Sequence, residues 1–107
     1  MRSLESLISD KVLSLLGLAT RAGKICSGEF SVEKSVKAAK ASLVIVATDA
    51  SANTRKKFSD KCKFYKIQIR FYGTGETLGT AIGKEFRVCV AVEDEGFAKT
   101  IVERLEE

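Results

Sequence analysis

Four cations gather around one dipeptide. Arg21 and Lys24 precede Ser27-Gly28, and Lys34 and Lys37 follow it, in and just beyond the stretch RAGKICSGEFSVEK. A serine at this point can cap a helix. The unpaired N–H groups of the first turn and the positive end of the helix dipole then favour an anion. Steps of three and four from Ser27 reach Ser31, Lys34 and Lys37, a stripe rotated away from Val32 and Val36. One face of such a helix would be buried while another shows lysines beside the helix start, which is a place to receive phosphate. The plainer alternative is a solvated charged face with an ordinary cap, and spacing alone leaves both open.

Two glycine-bearing stretches compete for the same chemistry and fail. A Walker-type loop needs G-x-x-x-x-G-K-[ST] after a strand. Here five residues separate Gly17 from Gly23, Ile25 stands where the magnesium-binding hydroxyl belongs, and the preceding segment is helical in pattern. Gly23 reads more simply as the end of a helix. GTGETLG at 73–79 follows a strand and opens a helix, as a dinucleotide loop would, but Leu78 occupies the third glycine position. It reads as a turn with a helix start.

Other chemistries lack their residues. The chain has no His, so the commonest general base and metal ligand are both missing. Its three cysteines, Cys26, Cys62 and Cys89, show no C-x-x-C spacing, which argues against zinc and against a disulfide framework. They are expected to be small buried hydrophobes. The expectation is therefore a protein that is not an enzyme, with no catalytic residues, no cofactor and no metal. Net charge is +4, and the excess lies in residues 1–70, whereas 71–107 are net acidic. With a pI near 9.1 this points to a polyanionic partner. The run TRKKFSDKCKFYK at 54–66 adds to the positive field, with Phe58 and Cys62 as its core face. No apolar run approaches a membrane span, and the opening MRSLESLISD, interrupted by Glu5 and Asp10, does not read as a secretory signal. A cytoplasmic protein is expected.

The elements that would position these residues follow from periodicity. LVIVA at 43–47 is continuously apolar, like a strand covered on both faces. KIQIRFY at 66–72 alternates, with Ile67, Ile69 and Phe71 on one side, and RVCVAV at 87–92 is a third strand. A short strand at Lys24–Cys26 can join the sheet edge. Leu4, Ile8, Val12, Leu15, Leu16 and Ala19 mark a first helix, and Val32, Val36 and Ala39 a second. Ser51 to about Tyr65 gives a third, Thr77 to Ile82 a short fourth, and Phe97, Ile101, Val102 and Leu105 a last. Strands separated by helices predict a single α/β domain over 1–107, a three-layer α/β/α sandwich.

The segments LGLATRAGK, LVIVATDAS, KFSDKCKFY and LGTAIGK, in that order and spacing, carry a resemblance. Over about residues 11–102 the chain resembles the kink-turn RNA-binding ribosomal protein family, of the L-seven-Ae and L-thirty-e type, and within it the small bacterial YlxQ-like members. The resemblance implies a mixed four-stranded sheet and an RNA partner, structured and ribosomal or kink-turn-like. It implies that the start of the second helix (Gly28, Glu29, Phe30, Ser31 and Lys34) enters the RNA groove at sheared G·A pairs. A loop of Lys84, Glu85, Phe86 and Arg87 would cover a flipped-out base. Relatives carry Gly-Thr-Asn-Glu at the helix start. Here Gly28-Glu29-Phe30-Ser31 takes its place, so the phosphate field persists while base-edge readout changes. Phe30 and Phe86 then offer stacking faces. The alternative is a protein–protein interaction module on the same fold, with a ribosomal or other protein partner, that has lost kink-turn readout.

Overall fold

The computed structural model describes residues 10–107. Helix α1, Lys11–Arg21, begins where the Asp10 carboxylate accepts the Leu13 N–H at 2.9 Å. It buries Val12, Leu16 and Ala19, the face expected from their spacing, while Leu4 and Ile8 lie outside the described residues. Gly23 takes a positive φ of 73° past the helix end, as its C-terminal reading requires. The chain then enters β1, Ile25–Ser27, and after one residue α2, Glu29–Lys37. Strand β2, Leu43–Val46, is buried throughout. Ser51 caps α3, Ala52–Tyr65, accepting the Thr54 N–H at 3.1 Å. Strand β3, Gln68–Phe71, leads to α4, Gly75–Ala81, and β4, Cys89–Val92, leads to α5, Glu95–Leu105.

The four strands form one mixed sheet in the order β1-β4-β2-β3. β2 and β3 run parallel, Leu43 opposite Gln68, and β4 is antiparallel to both of its neighbours. Alternation along β2 sends Leu43 and Ile45 to one face and Val44 and Val46 to the other. The first face packs with Leu16 of α1, Leu78 of α4 and Ile101 of α5; the second with Val32 and Val36 of α2 and Phe58 and Cys62 of α3. This is the three-layer α/β/α sandwich. No helix among the described residues is long and apolar enough to cross a membrane.

Several boundaries differ from expectation for identifiable reasons. Ser27 does not cap α2. It belongs to β1, opposite Val90, and Gly28 is the N-cap, with φ 89° and no side-chain cap bond. The strand turns into a helix within one residue, which demands a backbone conformation that glycine adopts at little cost. Ala39 is not helical: α2 ends at Lys37 and Ala39 has φ 58°. Phe71 does not join Ile67 and Ile69 in the core. It closes a strand paired on one side only and stays 44% exposed. α4 starts two residues earlier than its apolar pattern suggests because Thr74 and Thr77 form a reciprocal capping box. The last strand begins at Cys89, so Arg87 and Val88 belong to the loop before it.

Candidate nucleic-acid interface

One end of the sheet gathers the C-terminal ends of β1, β2 and β3 and the start of β4. Backbone bonds stitch it together: Gly28 N to Cys89 O at 3.0 Å, Ala47 N to Val88 O at 2.8 Å and Thr48 N to Gly73 O at 2.8 Å. The start of α2 and the loop before β4 therefore meet here, although some 55 residues of chain separate Gly28 from Gly83 by number.

The loop is held against α4 by two glycines. A Cβ on Gly79 would stand 2.7 Å from the Glu85 carbonyl oxygen, and one on Gly75 would stand 2.4 Å from the Phe86 ring. Those glycines of GTGETLG thus serve close packing of a loop rather than a nucleotide. Lys84 N donates to Gly79 O at 2.7 Å and Arg87 N to Gly75 O at 2.9 Å. The Asp49 carboxylate accepts the Gly75 N–H at 2.9 Å, joining the β2–α3 turn to the same frame. Lys84 and Glu85 are exposed, and Phe86 stays 55% exposed even while lying on Gly75. Arg87 closes the frame. Its Nε donates to Ser27 Oγ at 3.2 Å and its Nη1 to the Phe86 carbonyl at 2.8 Å. Ser27, displaced from its expected cap, is instead the link between helix start and loop.

On α2 itself, Glu29, Phe30, Ser31 and Lys34 are exposed, with Phe30 at 81%. Glu29 is braced from α3: its carboxylate accepts from Thr54 Oγ1 at 3.3 Å and lies 3.8 Å from Lys57 Nζ. One turn further on, Glu33 meets three lysines, Lys57 at 2.9 Å, Lys37 at 3.1 Å and Lys61 at 3.2 Å. Hydrogen bonds from Lys57, Lys37 and Lys61, in that order, hold its carboxyl down at about 2. The same contact raises the Lys57 ammonium above its ordinary value.

The structure brings Ser27, Gly28, Glu29, Phe30, Ser31, Lys34 and the loop Lys84–Arg87 to one region. It does not bring Arg21 and Lys24 there. The Lys24 carbonyl accepts from Glu93 N beyond the far end of β4, whereas Gly28 bonds Cys89 at its start. β1 separates the two by roughly 13 Å at about 3.3 Å per strand residue. Arg21 instead lines a groove of about 700 Å³ between α1 and α4, with Leu18, Glu76 and Thr80. Lys37 shares the α2 face but is engaged by Glu33. Sequence reasoning missed Arg55, exposed in the first turn of α3, whose Nη1 donates to Thr48 O at 3.3 Å. Its signal was present, as the first cation of the basic run one turn past the Ser51 cap.

Cys62 and Cys89 are buried as expected, whereas Cys26, on the edge strand β1, is only half-buried. Burial pushes the Cys62 thiol up to about 11 and that of Cys89 to about 12. Burial, with the nearby Glu93 carboxylate, raises Cys26 to about 11. Among the described residues, no group of three or more His, Cys, Asp or Glu side chains could hold a metal ion.

Comparison with known proteins gives consistent matches. The profile of the Ribosomal protein L7Ae/L30e/S12e/Gadd45 family matches residues 10–102. The chain is 49% identical over 92 residues to the RNA-binding protein YlxQ of Bacillus subtilis (strain 168), covering 86% of this chain and 92% of that one. It is 34% identical over 89 residues to the large ribosomal subunit protein eL30 of Spodoptera frugiperda, covering 81% and 79%. Among solved structures, a protein with unknown function from Bacillus halodurans C superposes with a TM-score of 0.88 at 43% identity, covering 91% of this chain and 98% of that one. A Giardia lamblia 15.5kD RNA binding protein has the same fold, with a TM-score of 0.78 at 22% identity over 97% and 88% of the two chains.

Proposed function

Since the chain belongs to the Ribosomal protein L7Ae/L30e/S12e/Gadd45 family, we propose that it is an RNA-binding protein that grips a kinked, non-Watson–Crick element of structured RNA. The grip is a clamp of two parts, the start of α2 from Gly28 to Lys34 and the loop Lys84–Arg87. The observation that carries this reading is their physical union. Arg87 bonds Ser27, and Gly28 bonds Cys89, so a helix start and a basic loop present one surface. Positive charge at Lys34, Lys84 and Arg87 suits phosphates on either side of a bend. The bare backbone at Gly28, with open space where a Cβ would be, allows close approach. The naming of relatives as RNA-binding and ribosomal proteins agrees with it.

The test is a titration against a kink-turn RNA and against the same RNA with its G·A pairs replaced by Watson–Crick pairs, at about 50 and 200 mM salt. Tight binding to the kink-turn alone is the expected result. Equal, salt-sensitive binding to both would leave a basic RNA binder without kink-turn readout. Binding to neither would remove the reading. A second reading, a protein-binding module, is favoured by one observation: Phe64, 78% exposed, and Tyr65, stacked edge-on at 4.9 Å, sit at the end of α3. A protein partner retained after nuclease treatment, with no RNA retained, would select that reading.

A further inference from the structure

Phe30 is the most exposed of the large hydrophobic side chains among the described residues, at 81%, while Phe58 on the neighbouring helix is fully buried. A single exposed apolar residue needs no explanation. The surroundings of Phe30 are what call for one. It borders a shallow depression of about 500 Å³ on the outer face of α2, lined also by Glu33, Lys34, Lys37 and Ala38. That size is in the range of small-molecule sites, which run to about 300–1,000 Å³. Lys34 follows Phe30 by four residues, so the two side chains are neighbours on the helix surface. Lys34 makes no ion pair among the described residues. The one carboxylate in the depression, on Glu33, is turned to Lys37, Lys57 and Lys61, which leaves the depression net cationic. Helical side chains lean toward the N-terminus, so the Phe30 ring projects toward the end where the loop stands.

We infer that this depression holds one unpaired nucleotide of the bound RNA, its base stacked on the Phe30 ring and its phosphate on Lys34. This deepens the proposed RNA clamp and rests on it. An aromatic face with a cation beside it matches a base with its phosphate, and stacking accepts any base because each has a π-face. A base inside a duplex has no free face, so the RNA must carry an unstacked nucleotide next to the clamped element. Lys34 supplies a flexible point charge suited to a phosphate whose position varies. An apolar protein segment would fill the Phe30 side but leave Lys34 without an anionic partner.

The experiment uses the full chain and a kink-turn RNA carrying 2-aminopurine in turn at each unpaired position of its bulge and flanks. Quenching is expected at one position. It should be lost in Phe30→Leu and retained in Phe30→Trp. Phe30→Ala should weaken binding by about 5- to 150-fold. Lys34→Ala should lower the salt slope by roughly one phosphate contact. Circular dichroism should show each variant folded, since both side chains are exposed. If the wild-type chain binds no kink-turn RNA at low salt, the clamp reading fails and this inference with it. If binding is tight but Phe30→Ala changes it by no more than about twofold, and no quenching depends on Phe30, the inference alone fails. Full affinity in Phe30→Leu would show an apolar contact without stacking, and overturns it as well.

Discussion

Lys84 and Arg87 stand on a loop whose polar contacts are to neutral oxygens, whereas Lys37, Lys57 and Lys61 converge on the single carboxylate of Glu33. In sequence the second group is the more conspicuous, because two of its members lie in the basic run at 54–66. In space its three ammoniums are drawn onto one carboxylate, and another lysine of the run, Lys56, pairs with Asp60 at 2.9 Å. The loop carries fewer cations, but among the described residues neither has a carboxylate partner, and the backbone beneath them is fixed by a frame. Charge available to a polyanion is therefore not the count of lysines. It depends on which cations have an acidic neighbour and on whether the backbone beneath them is held.

The frame is the part of this comparison that is easiest to break. Gly79→Val should have the largest effect. Its side chain would run into the Glu85 carbonyl, a backbone atom that cannot swing aside. Overpacking of this kind costs about 1–3 kcal/mol, read as a fall in the midpoint of chemical denaturation. RNA affinity should fall further than stability explains, because Lys84, Phe86 and Arg87 shift together. A variant that melts early yet binds RNA normally once folded would show that the loop is not part of the clamp. Arg87→Lys comes next. A lysine cannot donate both to Ser27 Oγ and to the Phe86 carbonyl in the planar geometry of a guanidinium. Binding should weaken about 10-fold with the charge retained. Unchanged affinity would mean that charge alone matters at this position.

These expectations rest on features of uneven visibility in the sequence. Strand β2 was legible because five consecutive apolar residues can only be covered on both sides. The helix over 52–65 was legible from Ser51 and the spacing of Phe58 and Cys62. The role of Ser27 was not, because its pairing with Val90 is a contact 63 positions away, and local capping rules cannot see it. Phe71 misled because alternation does not reveal that a strand is at an edge. Arg21 and Lys24 looked close to Gly28 because chain neighbours are near until a strand intervenes. The proposed clamp residues Lys84–Arg87 carried no local pattern of their own and came only from family resemblance. What ties them to the helix start, Gly75, Gly79 and Arg87, is packing and hydrogen bonding across elements.

The Glu33 cluster can be opened directly. Glu33→Gln removes the carboxylate and leaves Lys37, Lys57 and Lys61 without their shared partner. Affinity for Watson–Crick duplex RNA should rise and its salt dependence steepen, while preference for the kink-turn falls. The same variant reports on pH. Glu33 has a folded-state value of about 2, below its ordinary 4.5, so its contribution to stability is present above the ordinary value and is lost as pH falls toward 2. Wild type should therefore lose stability across that acid window more steeply than Glu33→Gln. Parallel curves would mean that the ion pairs are screened by solvent and orient the lysines without stabilising the fold.

The smallest effect is expected at the far end of β1. Lys24→Ala removes an exposed cation whose backbone carbonyl accepts the Glu93 N–H, at the opposite end of β1 from Gly28. Arg21→Ala removes one that lines the α1–α4 groove. Each should change RNA affinity by no more than about twofold at 200 mM salt, since a charge more than a Debye length of about 8 Å from the nearest phosphate is screened. At low salt the screening length grows to about 30 Å near 10 mM, and a modest loss should then appear in both variants. Lys34→Ala and Lys84→Ala should weaken binding at either salt. If Lys24→Ala weakens binding at high salt as much as Lys84→Ala does, the bound RNA extends along β1 to the other end of the sheet, and the clamp is only one part of a longer contact.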